Sequence, residues 1–182
     1  KLPVSDEQTM HYLSNWADRN KAWAHRMMAE RYRDGVGGVK QSHATAVLFF
    51  EKAVQQGDLV AMYNLGCMYQ DGNGVDQSYE KAVELFAMAA ESGFPPAMYN
   101  LGYLYYSGQG VDRSDKKAVE LYTMGVEKGN VSAMCNLAGL YREGKGVDRS
   151  YEKALELFTI AVEKGDENAM LNLGSMYQNG EG

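Results

Sequence analysis

Three serines are each followed three residues later by a lysine: Ser78 and Lys81, Ser114 and Lys117, and Ser150 and Lys153. In the serine enzymes that react with penicillin, this spacing brings a nucleophilic hydroxyl next to a lysine amine. The accompanying motifs Ser-Asp-Asn and Lys-Thr-Gly are absent from the chain. A nucleophile is needed once, whereas a serine that caps a helix recurs wherever that helix recurs. The repetition therefore favours helix caps, and we expect no catalytic residue.

Pairs of glycines separated by one residue also recur, and glycine-rich loops can bind phosphate. In dinucleotide-binding proteins such a loop follows a strand and opens a helix, whereas here it joins two helical segments and indicates a turn. The side chains suited to transition metals lack the spacing of a metal site: His11, His25, His43, Cys67 and Cys135. We expect neither a metal nor another cofactor. The two cysteines lie two repeats apart, too far for a disulfide.

One segment of sequence returns every 36 residues. It begins with Ala-Met-Tyr-Asn-Leu-Gly at Ala61 and Ala97, and close variants begin at Ala133 and Ala169, while a less similar 37-residue copy begins at Ala24. A fixed period of this size is typical of stacked repeats. We predict one solenoid domain, built from the second helix of a preceding or capping repeat at 1–23, repeats at 24–60, 61–96, 97–132 and 133–168, and the first helix of a truncated repeat at 169–182.

Each repeat has the pattern of two helices whose apolar residues form a single stripe. Serine precedes the second helix as a cap, and glycine follows each helix where the backbone must take a positive φ. In the leading helix, Ser5 stands where the capping serine is expected and Asn20 where the glycine is expected. No segment alternates with a period of two residues, so we predict an all-α chain of ten helices.

The stripe also predicts which small and apolar side chains are buried. Glycine lies on it at Gly66, Gly102 and Gly174, and would let the paired helices approach closely. Methionine lies on it at 62, 98, 134 and 170, and is expected in the core.

The repeated pattern A-x-x-N-L-G-x-x-Y-x-x-G-x-G-V-x-x-S-x-x-K-A-x-x-x-F/Y resembles the Sel-one-like repeat, a relative of the tetratricopeptide repeat. The resemblance covers residues 24–182, and the repeat at 24–60 departs most, with Met27 replacing the asparagine and Lys40 the aspartate. It implies a right-handed α-solenoid of antiparallel helix–turn–helix repeats. It also implies a scaffold or adaptor that holds a protein or peptide partner on its concave face.

Charge and hydropathy exclude other classes of partner. The net charge is −6, and the one basic stretch, residues 19–40 with six basic and two acidic residues, is more typical of a solvated face than of a nucleic-acid track. No run of about 18 apolar residues is present, so we expect no membrane insertion. Free cysteines and no visible signal peptide favour a cytoplasmic location.

Residues that differ between repeats indicate where a partner binds. The second helices carry a uniform row of charged side chains, whereas the outward positions of the first helices vary and include three tyrosines on one helix. A ladder of asparagines runs along the rim of this face; each forms a structural hydrogen bond to a neighbouring helix or, as in related tetratricopeptide domains, grips a peptide backbone. The predicted partner-binding residues are Tyr63, Asn64, Tyr99, Asn100, Tyr103, Tyr106, Asn136, Arg142 and Asn172.

Two other functions are compatible with the sequence. The chain could be a structural subunit that uses its convex or end surfaces. It could also be a hydrolase, since some cysteine-rich relatives of the repeat family have been linked to β-lactam binding. The last helix presents Met170, Leu173 and Met176 with no further helix to cover them, so we expect either that the array continues beyond residue 182 or that two chains associate through the C-terminal end.

Overall fold

The computed structural model describes residues 6–182, and within this range it contains ten α-helices and no β-strand. The prediction of ten helices is therefore confirmed. Ser5, the predicted cap of the leading helix, lies outside the described residues. The chain forms two compact units, Lys1–Ser92 and Gly93–Gly182.

The first unit contains five helices: α1 (Asp6–Asp18), α2 (Ala22–Asp34), α3 (His43–Val54), α4 (Leu59–Asp71) and α5 (Tyr79–Glu91). Helix α2 packs against α3 and α4 against α5, so each repeat forms one helical hairpin. Helix α1 packs on α2 through the buried Leu13, and α3 packs on α4. Phe50, Leu65 and Met68 belong to the core of this unit.

The second unit contains the other five: α6 (Pro95–Ser107), α7 (Asp115–Glu127), α8 (Val131–Glu143), α9 (Tyr151–Glu163) and α10 (Glu167–Asn179). The hairpins are α6 with α7 and α8 with α9, and α10 packs mainly against α9. The cores are built around Tyr122 and Phe158, each on the second helix of its hairpin.

The predicted caps are present. The side-chain oxygens of Ser78, Ser114 and Ser150 each accept a hydrogen bond from the backbone N–H three residues later, at 3.3 Å. At the other end of α1, Asn20 has a φ of 53°, the one positive φ of a residue other than glycine in the described chain. The substitution of asparagine for glycine at a left-handed helix end is thus confirmed.

Glycines on the buried stripe make room for an aromatic ring. A Cβ added to Gly66 would lie 2.6 Å from Cε1 of Phe86, and one added to Gly102 would lie 2.7 Å from Cε1 of Tyr122. Both distances are too short for real carbon atoms, so the ring can pack here only against glycine. In the next hairpin the position is Ala138, which is buried in the same cluster as Phe158.

Three expectations for the last helix are wrong. Gly174 is exposed with open space around it, because no second helix follows α10 within the described residues to supply an aromatic ring. Met170 is 59% exposed rather than in the core, for the same reason. Met176 was expected to be uncovered, but it is fully buried, because it packs into the cluster of Phe158 and Ala161 on α9.

The tight contact between Gly102 and Tyr122 leads to a prediction about the stability of a Gly102 variant. We expect Gly102→Ala to lower the free energy of unfolding by about 1–3 kcal/mol, because the added methyl group overpacks against the Tyr122 ring. Gly139→Ala on α8 is the matched control: its Cβ meets open space, so the better helix propensity of alanine should stabilise by about 0.5–1 kcal/mol. Urea denaturation measures both, and equal changes in the two variants would contradict the packing account.

His25 is a buried titratable side chain in the core of the first unit. It is 4% exposed, and Nε2 of Gln56 lies 3.1 Å from its Nδ1. Burial lowers the pKa of His25 below 6.5, and the nearby positive charge of Lys52 lowers it further. The folded chain therefore favours the neutral imidazole.

This shift predicts a loss of stability in mild acid. An unfolded chain takes up the proton near pH 6.5 and the folded chain only at lower pH, so the contribution of His25 is fully present above about pH 6.5 and declines below it. Urea denaturation at about pH 7.5 and about pH 5.5 should show this decline. His25→Gln should remove much of the difference; a pH dependence that this variant leaves unchanged would assign the effect to other groups.

Candidate functional site

The two helices of a hairpin present different surfaces. On the second helices, the predicted row of charged side chains is exposed throughout: Glu80, Glu84, Glu91, Lys116, Glu120, Glu127, Glu152, Glu156 and Glu163. On the first helices of the second unit, by contrast, the surface is indented. The indentation runs along α8 between α6 and α10.

One part of this indentation is a cleft of about 280 Å³. Tyr103 and Tyr106 of α6 line one side, and Asn172 of α10 lines the other. The remaining lining residues come from α7, α8 and α9: Tyr122, Cys135, Asn136, Gly139, Leu140, Glu143 and Phe158. The aromatic core residues of both hairpins thus contribute to it.

The cleft exists at this repeat because of Gly139. Equivalent positions carry Cys67 on α4, Tyr103 on α6 and Ser175 on α10. A Cβ built on Gly139 would meet no heavy atom within 4 Å. The absence of a side chain on α8 leaves the space that the cleft occupies.

Tyr122 contributes a buried hydroxyl to the cleft. The residue is 1% exposed, its ring packs 6.0 Å from that of Tyr99, and its hydroxyl accepts a hydrogen bond of 3.1 Å from Nδ2 of Asn136. Burial raises the pKa of Tyr122 well above 10. The hydroxyl is therefore neutral at any physiological pH and acts only as a hydrogen-bonding group.

A second cavity of about 330 Å³ adjoins the cleft toward the start of α8. It shares Cys135, Asn136 and Asn172 with the cleft and adds Tyr99, Ser132, Asp166 and Asn168. We call the cleft and this cavity together the α8 groove.

The two cavities meet at the half-buried thiol of Cys135, beside a carboxylate. Oδ1 of Asp166 accepts the backbone N–H of Ala169 at 2.8 Å and so caps α10, and its carboxylate faces the thiol of Cys135. Burial raises the pKa of Cys135 to about 12, with a further contribution from the Asp166 charge.

The three tyrosines predicted to share an exposed face have different environments. Tyr103 is 42% exposed at the edge of the cleft. Tyr99 is half-buried against Tyr122, and Tyr106 is half-buried between the cations of Arg113 and Lys145, whose centres lie 5.5 and 5.6 Å from the ring. The expectation of three exposed rings is thus corrected to one, although all three line the α8 groove.

The asparagine ladder makes local hydrogen bonds. Oδ1 of Asn64 accepts from Nη1 of Arg33 on α2 at 3.0 Å, and Asn136 reaches Tyr122 on α7. Asn172 donates to the backbone oxygen of Asn168 at 2.9 Å. Asn100 is half-buried on α6 outside the lining of the groove. For Asn64 and Asn136, these contacts support the structural role in holding neighbouring helices.

Two other predicted residues, Arg142 and Tyr63, do not line the groove. Nε of Arg142 forms a 2.6 Å ion pair with Glu181, and its Nη2 donates to Ser175, so its guanidinium is engaged outside the groove. Tyr63 is half-buried with its ring 5.9 Å from Phe86 in the first unit. The groove therefore combines Tyr99, Tyr103, Tyr106, Asn136 and Asn172 of the predicted set.

The groove also contains residues that the sequence analysis missed: Tyr122, Cys135, Gly139, Glu143 and Asp166. The departure of Gly139 from the other repeats was a visible signal. The contribution of Tyr122 was not visible, because a core tyrosine at a position otherwise held by phenylalanine looks like an ordinary apolar substitution.

The serine and the lysine of each Ser-x-x-Lys motif make contacts that hold a hairpin together. In each motif the serine oxygen caps the second helix, and the lysine ammonium lies over a tyrosine ring of the first helix at 4.7–5.0 Å from its centre. The tyrosines are Tyr69, Tyr105 and Tyr141. The motif thus fastens the two helices of each hairpin through a cation–π contact.

No group of three or more His, Cys, Asp or Glu side chains within residues 6–182 is arranged to hold a metal ion. None of the helices in the described part of the chain has the length and apolar character that a bilayer-spanning segment needs.

The repeats match a known family. The family model described as Sel1 repeat matches five consecutive segments: 24–58, 59–94, 95–130, 131–166 and 168–182. The chain belongs to the Sel1 repeat family. Proteins of this family are generally non-catalytic repeat scaffolds that mediate protein–protein interactions.

Solved structures agree with this assignment. A protective antigen present in uropathogenic Escherichia coli, which displays the Sel1-like repeat fold, is 33% identical with a TM-score of 0.91, and the match covers 94% of this chain and 36% of that one. A Sel1 repeat protein from Oxalobacter formigenes is 29% identical with a TM-score of 0.90 over 96% of this chain and 69% of that one. The Sel1-repeat chain thus spans about a third of the length of the E. coli antigen.

A more distant likeness connects the fold with an immunity protein from Pseudomonas aeruginosa, at 25% identity and a TM-score of 0.60 over 86% of this chain and 58% of that one. No curated protein matches the sequence.

The raised pKa of the Cys135 thiol leads to a prediction about its rate of alkylation. With a pKa of about 12, only about one Cys135 thiol in 10⁴ is ionised near pH 8. Iodoacetamide should therefore label native Cys135 at least about 100-fold more slowly than the same residue in the urea-unfolded chain. Peptide mapping by mass spectrometry follows Cys135 separately from Cys67. Equal rates in the native and unfolded chains would contradict the buried environment of the groove.

Proposed function

We propose that this chain is a non-catalytic scaffold or adaptor that binds a protein or peptide segment in the α8 groove. The observation that carries the proposal is the groove itself, an indentation lined by tyrosine and asparagine on a helix face that the fold leaves open. Solenoid repeats commonly use such a face for binding, because stacking of the repeats buries the core and leaves this face uncovered.

The composition of the groove supports a macromolecular partner. Tyrosine is enriched at the energetic centres of protein interfaces, since it contributes a large ring and a hydroxyl with few rotatable bonds. Tyr103 is the exposed ring at the edge of the cleft, and the half-buried rings of Tyr99 and Tyr106 are held in place before and after it along α6. A rigid aromatic surface of this kind loses little side-chain entropy when a partner binds.

The environments of the asparagines also bear on the mode of binding. Asn136 and Asn172 each use the amide nitrogen in a local hydrogen bond. Their side chains are thereby fixed in orientation, and each oxygen keeps acceptor capacity. Structural and binding roles are therefore compatible in the same residue.

The proposal predicts which face captures a partner. A photoreactive benzophenone side chain at position 103 should cross-link a partner in cells that express the full chain. The matched control is the same side chain at Glu156, an exposed position on the second helix α9. Purified partner should then bind Tyr103→Ala more weakly by about 2 kcal/mol or more, and Glu156→Ala with little change. Cross-links that form at position 156 instead would favour a structural subunit that uses its opposite face.

A further inference from the structure

We propose that the cleft beside Gly139 accepts a cationic side chain of the partner, with arginine preferred. This inference rests on the proposed function, because it specifies what the α8 groove recognises. It follows from the charge, the hydrogen-bonding capacity and the free aromatic surface of the lining.

The charged side chains that line the groove have one sign, although the cations of Arg113 and Lys145 approach it at the ring of Tyr106. Its lining contains two carboxylates, Glu143 at one end and Asp166 at the other, and no lysine, arginine or histidine. Lys145 reaches Glu143 at 2.6 Å from outside the lining, but both side chains are about half exposed, at 40% and 51%. Such an exposed pair is weak and readily shared with a second cation. The groove is therefore complementary to positive charge.

The uncharged polar groups favour a hydrogen-bond donor. One N–H of each amide is already used, that of Asn136 toward the Tyr122 hydroxyl and that of Asn172 toward the Asn168 carbonyl. No donor within residues 6–182 contacts either amide oxygen. Each asparagine therefore keeps one N–H and its acceptor oxygen, and the two oxygens join the carboxylate of Glu143 as acceptors for a ligand. A guanidinium carries five N–H donors and no acceptor, so its bonding capacity matches this lining.

The exposed tyrosine ring completes the cleft. Several other tyrosine rings already have a cation over them: Lys81 on Tyr69, Lys117 on Tyr105, Lys153 on Tyr141 and, at the cleft itself, both Arg113 and Lys145 on Tyr106. Tyr103 lines the cleft with no cation over its ring among the described residues. A planar guanidinium that enters the cleft can stack there as the other cations do.

The volume and openness of the cleft suit a single side chain. Small-molecule sites are typically about 300–1,000 Å³ and enclose most of their ligand, whereas this cleft is about 280 Å³ and open to solvent along the groove. A side chain projecting from an extended segment fits both the volume and the opening. The rest of that segment would lie along the groove toward Asp166.

An NMR titration tests the proposal directly. The ¹⁵N-labelled chain is titrated with acetyl-Gly-Ser-Arg-Ser-Gly-amide and with peptides that carry citrulline, lysine or phenylalanine in place of arginine. The arginine peptide should shift the amide signals of Asn136, Gly139 and Asn172. Citrulline has the shape of arginine without its charge and should bind about tenfold more weakly, with lysine between the two.

Variants of the cleft separate binding from folding. Gly139→Met should fill the cleft and abolish the shifts while leaving the thermal midpoint unchanged or raised, because the new side chain enters open space. Gly139→Ala, which adds one methyl group, should retain most of the binding. Glu143→Gln should weaken the arginine peptide several-fold, and Glu156→Gln on α9 should leave it unchanged.

The outcomes also distinguish this inference from the proposed function. If the phenylalanine or citrulline peptide shifts the same signals with equal affinity, the preference for a cation is wrong while the groove remains a binding site. If no peptide shifts these signals, or if Gly139→Met binds like the native chain, the cleft is not the recognition site. Cross-links at position 156 rather than 103 would overturn the proposed function itself, whatever the peptides do.

Discussion

The packing of one aromatic ring against one residue without a bulky side chain holds each hairpin together. Phe86 lies on Gly66 in the first unit, and Tyr122 lies on Gly102 in the second. Burial of such a ring stabilises by about 1.5–3 kcal/mol, and the glycine allows the backbone of the first helix to approach it closely. The serine cap, the glycine turns and the lysine over the tyrosine all keep the two helices at this separation.

The same constraint produces the candidate site. Because the ring of α7 is tyrosine rather than phenylalanine, its buried edge carries a hydroxyl, and that hydroxyl meets Asn136 of the next hairpin. The core contact thereby sets the orientation of a groove-lining amide. Where Gly139 then leaves α8 without a side chain, the interior of the hairpins becomes accessible from the first-helix face. A stability element and a recognition surface thus share Tyr122.

The repeat made most of the fold predictable from sequence. Period, caps and turn glycines are local properties, so ten helices and the left-handed Asn20 followed directly from residue types. The environment of α10 was less predictable: Met170 and Gly174 have the right residue types for burial, but burial depends on a neighbouring helix rather than on residue type. The site was predictable only in part. The helical spacing of the three tyrosines reveals that they share a face, but which of them is exposed depends on packing across three helices, and only Tyr103 is. The pairing of Arg142 with Glu181 is a contact between distant residues that no repeat pattern encodes.

The central claim to be tested is that a partner occupies the first-helix face of the second unit. Hydrogen–deuterium exchange of the full chain, alone and bound to the protein captured through position 103, measures this most directly. Binding should slow exchange in α6, α8 and α10, with the largest effect near Gly139, and leave α7 and α9 unchanged. Protection confined to α7 and α9, or spread evenly over all five helices, would contradict it.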